Sequence, residues 1–210
     1  MLSKSIVDAT RQPLALWMTR STIILASASI RGHDADYKCG YEIASKFVRS
    51  IGNLDSQQTS EESRNQLCSY AQQAVGDTPG AGIQFVLFHR NEDRCFVFGC
   101  GTFSALKLKD NQYIELIEPH SVYQNLLSVG AEADVLTRRI PTCELCSESS
   151  GQDIREASLP SGVSSQIVFV ADPVLAYAIS SQSVDYDDLL SFAKTYSIPG
   201  LQINKTIIAI

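Results

Sequence analysis

The chain has 210 residues, of which 44% are hydrophobic and 19% are charged, as is typical of a globular protein with a sizeable core rather than of a disordered chain. Its net charge of −6 and its pI near 5.0 argue against a nucleic-acid or anionic-membrane partner, because either would require a basic surface. No apolar run approaches the roughly 20 residues that span a bilayer, and residues 1–18 lack the hydrophobic segment of a signal peptide.

Six cysteines are scattered along the sequence, at Cys39, Cys68, Cys95, Cys100, Cys143 and Cys146. Without a secretion signal, this pattern indicates reduced thiols of a cytoplasmic protein rather than a disulfide framework. We therefore expect a cytoplasmic protein, and the sequence leaves its oligomeric state open.

The first half of the chain predicts one strand and two helices, within a single domain over residues 1–210 that has an N-terminal extension over residues 1–20. In chain order, the predicted elements are a strand over 22–29, a polar loop over 31–36, a helix over 41–51 and a second helix ending near residue 75. Thr59 and Glu62 have the spacing of a capping box, which predicts the start of the second helix.

The second half of the chain predicts mainly short strands. The elements are strands over 83–88, 95–99, 103–108 and 113–117, a helix over 121–129, a strand over 166–171, a helix over 183–196 and a final strand over 206–210. The close spacing of the first four strands is typical of an antiparallel meander. The irregular stretch 131–160 predicts a surface flap. The whole order favours an α+β sandwich with helices covering stacked sheets.

Six short segments carry a resemblance to a known family. They are Gly40-Tyr-Glu-Ile-Ala-Ser45, Gly80-Ala-Gly82, Phe98-Gly-Cys-Gly-Thr-Phe103, Glu118-Pro-His-Ser-Val-Tyr123, Val170-Ala-Asp-Pro173 and Asn204-Lys-Thr206. In sequence and in order they resemble segments of the PPM-type, metal-dependent protein serine/threonine phosphatases, from about residue 22 to residue 210.

This resemblance implies a fold and a chemistry. The fold is a four-layer αββα sandwich, in which two mostly antiparallel β-sheets are flanked by helices. The chemistry uses two Mg²⁺ or Mn²⁺ ions, bridged by a water molecule that attacks the phosphorus of a phosphoserine or phosphothreonine. Hard divalent cations require several carboxylate oxygens, so the carboxylates at the metal positions decide whether this chemistry is available.

The sequence departs from the family pattern where the chemistry is expected. Cys100-Gly-Thr102 replaces the central Asp-Ser-Arg, and Pro173 replaces the glycine after the one aspartate that is clearly retained, Asp172. Ile203 takes the place of the last metal aspartate, and its side chain has no oxygen to donate.

The predicted metal ligands are Asp172, Asp34 and Asp36. The family's first Asp-Gly pair is absent, and its position falls at Ser29-Ile30, His33-Asp34 or Asp34-Ala35, depending on where a gap is placed. His33, Asp34 and Asp36 have the residue types of a metal site or of an acid–base pair. The alternatives are that Asp172 only starts a turn with Pro173 and that the loop has an ordinary polar composition. We assign no catalytic residue.

Cysteines and a histidine form weaker candidate sites. Cys143 and Cys146 have a CxxC spacing, but a zinc site would require a second pair, and the βαβ context of a thioredoxin-like motif is missing. We expect a reduced pair. Cys100, between two glycines, is either a reactive thiol or a small buried residue where two backbones approach. His120 is expected to cap or pack locally.

Two functional hypotheses follow. The first is a pseudophosphatase that needs no cofactor and acts by binding a protein or phosphoprotein partner. The second is a divergent, active Mg²⁺- or Mn²⁺-dependent protein serine/threonine phosphatase, in which Asp34, Asp36 and Asp172 rebuild a reduced metal site. A third reading leaves the family and keeps only a soluble α+β interaction domain.

Overall fold

A computed structural model describes residues 4–6, 14–19, 21–31, 37–55, 58–90, 94–160 and 167–210. Its strands are β1 (Lys4–Ile6), β2 (Leu14–Met18), β3 (Thr22–Ile30), β4 (Ala81–Arg90), β5 (Arg94–Cys100), β6 (Ser104–Lys109), β7 (Gln112–Glu115), β8 (Arg155–Pro160), β9 (Ile167–Val170) and β10 (Ile207–Ala209). Its α-helices are α1 (Tyr37–Ser50), α2 (Ser60–Val75), α3 (Val122–Ser128), α4 (Pro173–Ser181) and α5 (Leu189–Thr195).

The chain forms two compact units, each built from segments that are distant in sequence. The first unit comprises Met1–Arg11, Thr102–Thr142 and Ser164–Ile210, and the second unit comprises Gln12–Gly101 and Cys143–Val163. Each unit contains one five-stranded sheet and its own hydrophobic core.

The second unit is a sheet in the order β2-β3-β4-β5-β8, with every neighbouring pair antiparallel. Helices α1 and α2 bury their apolar faces in its core, where the rings of Phe47 and Phe85 meet edge to face with centroids 5.3 Å apart. Thr59 accepts a hydrogen bond from the backbone of Glu62 and the Glu62 carboxylate accepts one from the backbone of Thr59, so the predicted capping box is confirmed.

The first unit is a sheet in the order β1-β10-β9-β6-β7, also antiparallel throughout. All four residues of the central strand β9 are buried, which explains its unbroken hydrophobic sequence. The buried face of α4 packs in the same core as β9 and β10. Arg138–Arg139 end a short 3-10 helix that spans Val135–Arg139.

The predicted fold class is confirmed: the described chain is α+β, with two antiparallel sheets and five α-helices. Parts of the regions predicted as an extension (1–20) and a flap (131–160) belong to these sheets, since they contain β1 and β2 and the edge strand β8. Among the described helices, none has the length and apolar character needed to cross a membrane.

Three local predictions were wrong. The expected four-strand meander is interrupted, because the chain leaves the second unit's sheet at Gly101, where φ is +91°, and β6 pairs with β9 instead of β5. Helix α4 was not predicted at all. The helix expected from residue 183 starts only at Leu189, since Ser183 has a φ of +50° that is incompatible with a helix cap.

Candidate functional site

Asp172 lies where strand β9 passes into helix α4, and its carboxylate caps that helix. Its Oδ1 accepts hydrogen bonds from the backbone N–H groups of Val174, at 3.0 Å, and Leu175, at 3.4 Å. Pro173 occupies the first helical turn, where the N–H that it lacks would have no intrahelical partner. The residue is 4% exposed, so this carboxylate is effectively withdrawn from solvent.

Arg139 forms a bidentate ion pair with the same carboxylate. Its Nε donates to Asp172 Oδ1 at 3.3 Å, and its Nη2 donates to Asp172 Oδ2. The same Nη2 also donates to the carbonyl oxygen of Gln202 at 2.7 Å, which fixes the guanidinium between two parts of the first unit. A planar guanidinium that matches both oxygens of a carboxylate is the strongest form of this ion pair.

The segment that leads into β10 completes the surroundings of Asp172. The backbone N–H of Asn204 donates to Asp172 Oδ2 at 3.1 Å, and the side chain of Asn204 accepts from the backbone of Thr206 at 2.9 Å. Ile203 packs against the core of the first unit. The Asn and Thr of the family-like segment therefore shape a turn, while the position of the last metal aspartate holds an apolar side chain.

Both oxygens of Asp172 are thus used by N–H donors. A divalent cation requires oxygen acceptors, and in the described part of this unit the carboxylate meets a guanidinium and three backbone amides. The residues around Asp172 therefore do not fit a metal ion in this arrangement. That Asp172 binds metal stays a prediction, and Asp34 and Asp36 lie outside the described residues, as does His33.

Arg138, the neighbour of Arg139, holds the start of α4 from another side. Its Nε donates to the carbonyl oxygen of Pro173 at 3.2 Å, and its guanidinium is paired with Glu115. The rings of Tyr123 and Tyr177 lie 4.9 and 5.3 Å from its central carbon, within the range of cation–π contacts. Burial raises the pKa of Glu115, and the nearby Arg138 acts against that rise. The two arginines together anchor the strand-to-helix junction that carries Asp172.

A second buried carboxylate, Glu144, lies in the second unit beside Ser29. Its Oε1 accepts hydrogen bonds from Ser29 Oγ and Gln84 Nε2, both at 2.9 Å, and its Oε2 is 3.3 Å from Nη2 of Arg31. The Glu144 side chain is only 5% exposed. A Cβ on Gly82 would lie 2.8 Å from the Cβ of Glu144, so this close approach requires a glycine there.

Glu144 and Arg139 are the residues that sequence reasoning missed. Glu144 lies inside the CxxC segment, which drew attention to its cysteines, and Arg139 lies in the predicted flap. Both residues pair with side chains that are distant in sequence, and nothing in the local sequence around Glu144 or Arg139 indicates these pairings.

The cysteines of the CxxC segment have separate surroundings. Cys143 Sγ lies 3.7 Å from Cys100 Sγ, whereas the backbone N–H of Cys146 donates to Ser149 Oγ at 2.9 Å within a tight turn. The Cys143 and Cys146 thiols therefore do not act as one pair. Cys100 is buried, as one of the two interpretations of its Gly-Cys-Gly context predicts.

No protein-family profile matches this sequence, and no curated protein matches it at the sequence level. Solved structures do match. A PstP catalytic domain in complex with two manganese ions is 12% identical, with a TM-score of 0.66 over 100% of this chain and 94% of that chain.

Two further structures give the same result. The PPM Ser-Thr phosphatase MsPP from Mycobacterium smegmatis, in complex with cacodylate, is 14% identical, with a TM-score of 0.59 over 100% of this chain and 95% of that chain. The serine/threonine phosphatase Stp1 from Staphylococcus aureus is 12% identical, with a TM-score of 0.65 over 100% of this chain and 93% of that chain. The chain therefore has the fold of the PPM-type protein serine/threonine phosphatases, as the resemblance in its sequence predicts.

Proposed function

We propose that the protein is a pseudophosphatase, which keeps the PPM-type phosphatase fold, does not hydrolyse phosphoesters and acts by binding a protein or phosphoprotein partner. The observation that carries this proposal is the state of Asp172. The one aspartate clearly retained from the family's metal positions is neutralised by Arg139 and saturated by backbone N–H donors.

Electrostatics explain why this arrangement opposes metal binding. A cation at Asp172 would have to displace the Arg139 guanidinium from a carboxylate that is withdrawn from water. Each charge-assisted hydrogen bond lost in this way costs about 1.5–3 kcal/mol. The displaced guanidinium would then repel the incoming cation from nearby, because two positive charges would compete for one carboxylate.

The other family positions supply little to offset that cost. Ile203 offers no oxygen ligand, and Cys100 replaces the aspartate of the central motif. If Ser29 takes the place of the first metal aspartate, it brings a hydroxyl that already donates to Glu144. Glu144 itself is paired with Arg31. The two buried carboxylates, Glu144 and Asp172, are therefore each paired with an arginine of their own unit.

Binding rather than catalysis is the role that such a chain can fulfil. The fold is retained over the full length, whereas Ile203 stands at one expected metal carboxylate and Arg139 neutralises another, Asp172. A protein or phosphoprotein partner fits this pattern, since the acidic chain does not suit nucleic acids. We place the protein in the cytoplasm, in keeping with six cysteines that are all free.

Manganese titration tests the proposal. We expect calorimetry to detect no specific Mn²⁺ binding at Asp172, and an aryl phosphate to show no Mn²⁺-dependent hydrolysis. The matched variants are Asp172→Asn, which keeps the side-chain shape at the helix cap, and Asp188→Ala, which removes an exposed aspartate with no capping hydrogen bond. Mn²⁺-dependent turnover that Asp172→Asn abolishes and Asp188→Ala retains would contradict the proposal and support the active phosphatase built on Asp34, Asp36 and Asp172.

A further inference from the structure

Two cysteines lie close together in the second unit because a later segment of the chain takes the place beside β4 where β5 ends. Strand β5 runs beside β4 as far as Cys100, which pairs with Phe85, and the chain then turns away at Gly101. Leu145 takes the next place along β4 and forms an antiparallel bridge with Ile83 through two backbone hydrogen bonds. Cys143, two residues before Leu145, thereby lies close to the end of β5, and its Sγ is 3.7 Å from Cys100 Sγ.

The two thiols are close enough to react with small movements. Their sulfur atoms are 3.7 Å apart, and a disulfide requires about 2.05 Å, so rotations of the two side chains and a small backbone adjustment suffice. Both residues belong to the second unit, and strand β4 holds the backbones of both segments. The closeness of the sulfur atoms therefore follows from the sheet itself.

The surroundings of the two thiols differ in a way that assigns them different roles. Cys100 is 2% exposed, whereas Cys143 is only partly buried, so an oxidant in solution reaches Cys143 first. The hydrogen bond from the Cys100 thiol lowers the pKa of Cys143. Donating that bond, together with burial, raises the pKa of Cys100. Of the two thiols, Cys143 is therefore the one that loses its proton more readily, and the thiolate is the reactive form.

We propose that Cys100 and Cys143 are a redox modification site, at which a hydroperoxide converts the two thiols into a reversible disulfide. The Cys143 thiolate attacks one peroxide oxygen, the O–O bond breaks, and Cys143 becomes a sulfenic acid while the peroxide leaves as water or an alcohol after taking up a proton. The sulfur of Cys100 then attacks the sulfenic sulfur, and its proton leaves with the hydroxyl as water. Two thiols are oxidised by two electrons and one peroxide is reduced.

The disulfide would tie the start of the returning segment, Cys143–Val163, to the end of β5. In the reduced protein these two segments are held by backbone hydrogen bonds, between β5 and β8 and to β4, and no disulfide joins them. This inference does not depend on the proposed pseudophosphatase function, because the two thiols lie 3.7 Å apart whether or not the protein hydrolyses phosphoesters.

Peptide mapping tests the proposal on the full chain. The reduced protein is treated with a few equivalents of hydrogen peroxide in the presence of a chelator, the remaining thiols are blocked, and the digest is analysed by mass spectrometry without reduction. We expect a cross-linked pair of peptides that contains Cys100 and Cys143, lighter by two hydrogen atoms than the sum of its parts, and its loss after a reductant is added.

Variants make the result specific. Cys143→Ser should abolish the cross-link, Cys100→Ser should leave Cys143 as a sulfenic acid that a dimedone probe traps, and Cys146→Ser should leave the cross-link intact. Circular dichroism checks that each variant is folded. A cross-link between Cys143 and Cys146 or between Cys68 and Cys146, or six thiols that remain reduced in the folded protein, would overturn the proposal.

Discussion

Arg139 and Asp172 lie 33 residues apart in the sequence, yet their pairing decides how the functional site is interpreted. A carboxylate at the end of a buried strand is a plausible metal ligand, and the same carboxylate beside a bidentate guanidinium is a structural ion pair. The difference lies in one side chain. Nearby, Ile203 places an apolar side chain where the family resemblance implies a second carboxylate.

The effect of these two residues can be reversed by substitution. We expect the double variant Arg139→Ala/Ile203→Asp to bind Mn²⁺ more tightly than the wild type by at least about tenfold, or ~1.4 kcal/mol, because it frees one carboxylate and adds a second. Calorimetry measures the affinity. Adding Asp172→Ala to the double variant should remove the gain. If the wild type binds Mn²⁺ as tightly as the double variant does, Arg139 does not compete with metal for Asp172.

At the scale of elements, the sequence predicts those that carry a local signal. Thr59 and Glu62 predict the start of helix α2, because their side chains accept hydrogen bonds from N–H groups at its first turn. Helix α4 shows no alternation of apolar and polar residues at helical spacing, because most of its residues are buried and apolar. It also follows β9 without a linker that would mark its start. Asp172 and Pro173 are its only signal, an N-cap followed by proline at the first turn, whereas from the sequence we interpret Asp172 as a metal ligand or as the start of a turn.

The candidate site was predictable only in part, for a related reason. Asp172 could be found from its place after a hydrophobic strand and from the family-like segment around it. The partners that determine its chemistry come from tertiary structure: Arg139 reaches it from a short 3-10 helix, and Asn204 reaches it from the segment before β10. Glu144 accepts a hydrogen bond from Ser29, which lies 115 residues before it in the sequence. Side-chain pairing at such distances leaves no periodic pattern in one sequence.

The pairing of β3 with β4 leads to a prediction on pH dependence. Thr22 and His89 are opposite each other in these strands, with Thr22 Oγ1 2.9 Å from His89 Nδ1, and both are buried. Burial lowers the pKa of His89 below the ordinary value of 6.5. The unfolded chain therefore binds more protons than the folded chain below pH 6.5, and the free energy of unfolding decreases as the pH falls through that range.

Urea unfolding at a series of pH values between about 7.5 and 5.5 measures this effect. For the wild type, we expect His89 to contribute a loss of stability of at most about 1.4 kcal/mol per pH unit, and His89→Gln should flatten the dependence by that share. The comparison of slopes is independent of any change in absolute stability that the substitution causes. An unchanged slope in His89→Gln would show that His89 titrates equally in both states.

At the scale of the whole molecule, each unit is assembled from separate stretches of chain. The second unit joins Gln12–Gly101 to Cys143–Val163, and the intervening stretch Thr102–Thr142 belongs to the first unit. Cys100 and Cys143 stand at the two ends of that intervening stretch. A disulfide between them would therefore close a loop that contains a whole segment of the other unit.

Closing this loop should stabilise the protein mainly through the unfolded chain, which loses conformational freedom while the folded chain changes little. For a loop of roughly 40 residues, the expected gain in the free energy of unfolding is about 2–4 kcal/mol. Urea unfolding of peroxide-treated and reduced samples measures it, and Cys143→Ser, treated in the same way, should show no gain. A disulfide that forms without raising the stability would mean that the native geometry has to distort to accept it. In that case the strain would cancel the entropic gain, and the oxidised form would be easier to reduce than an unstrained disulfide.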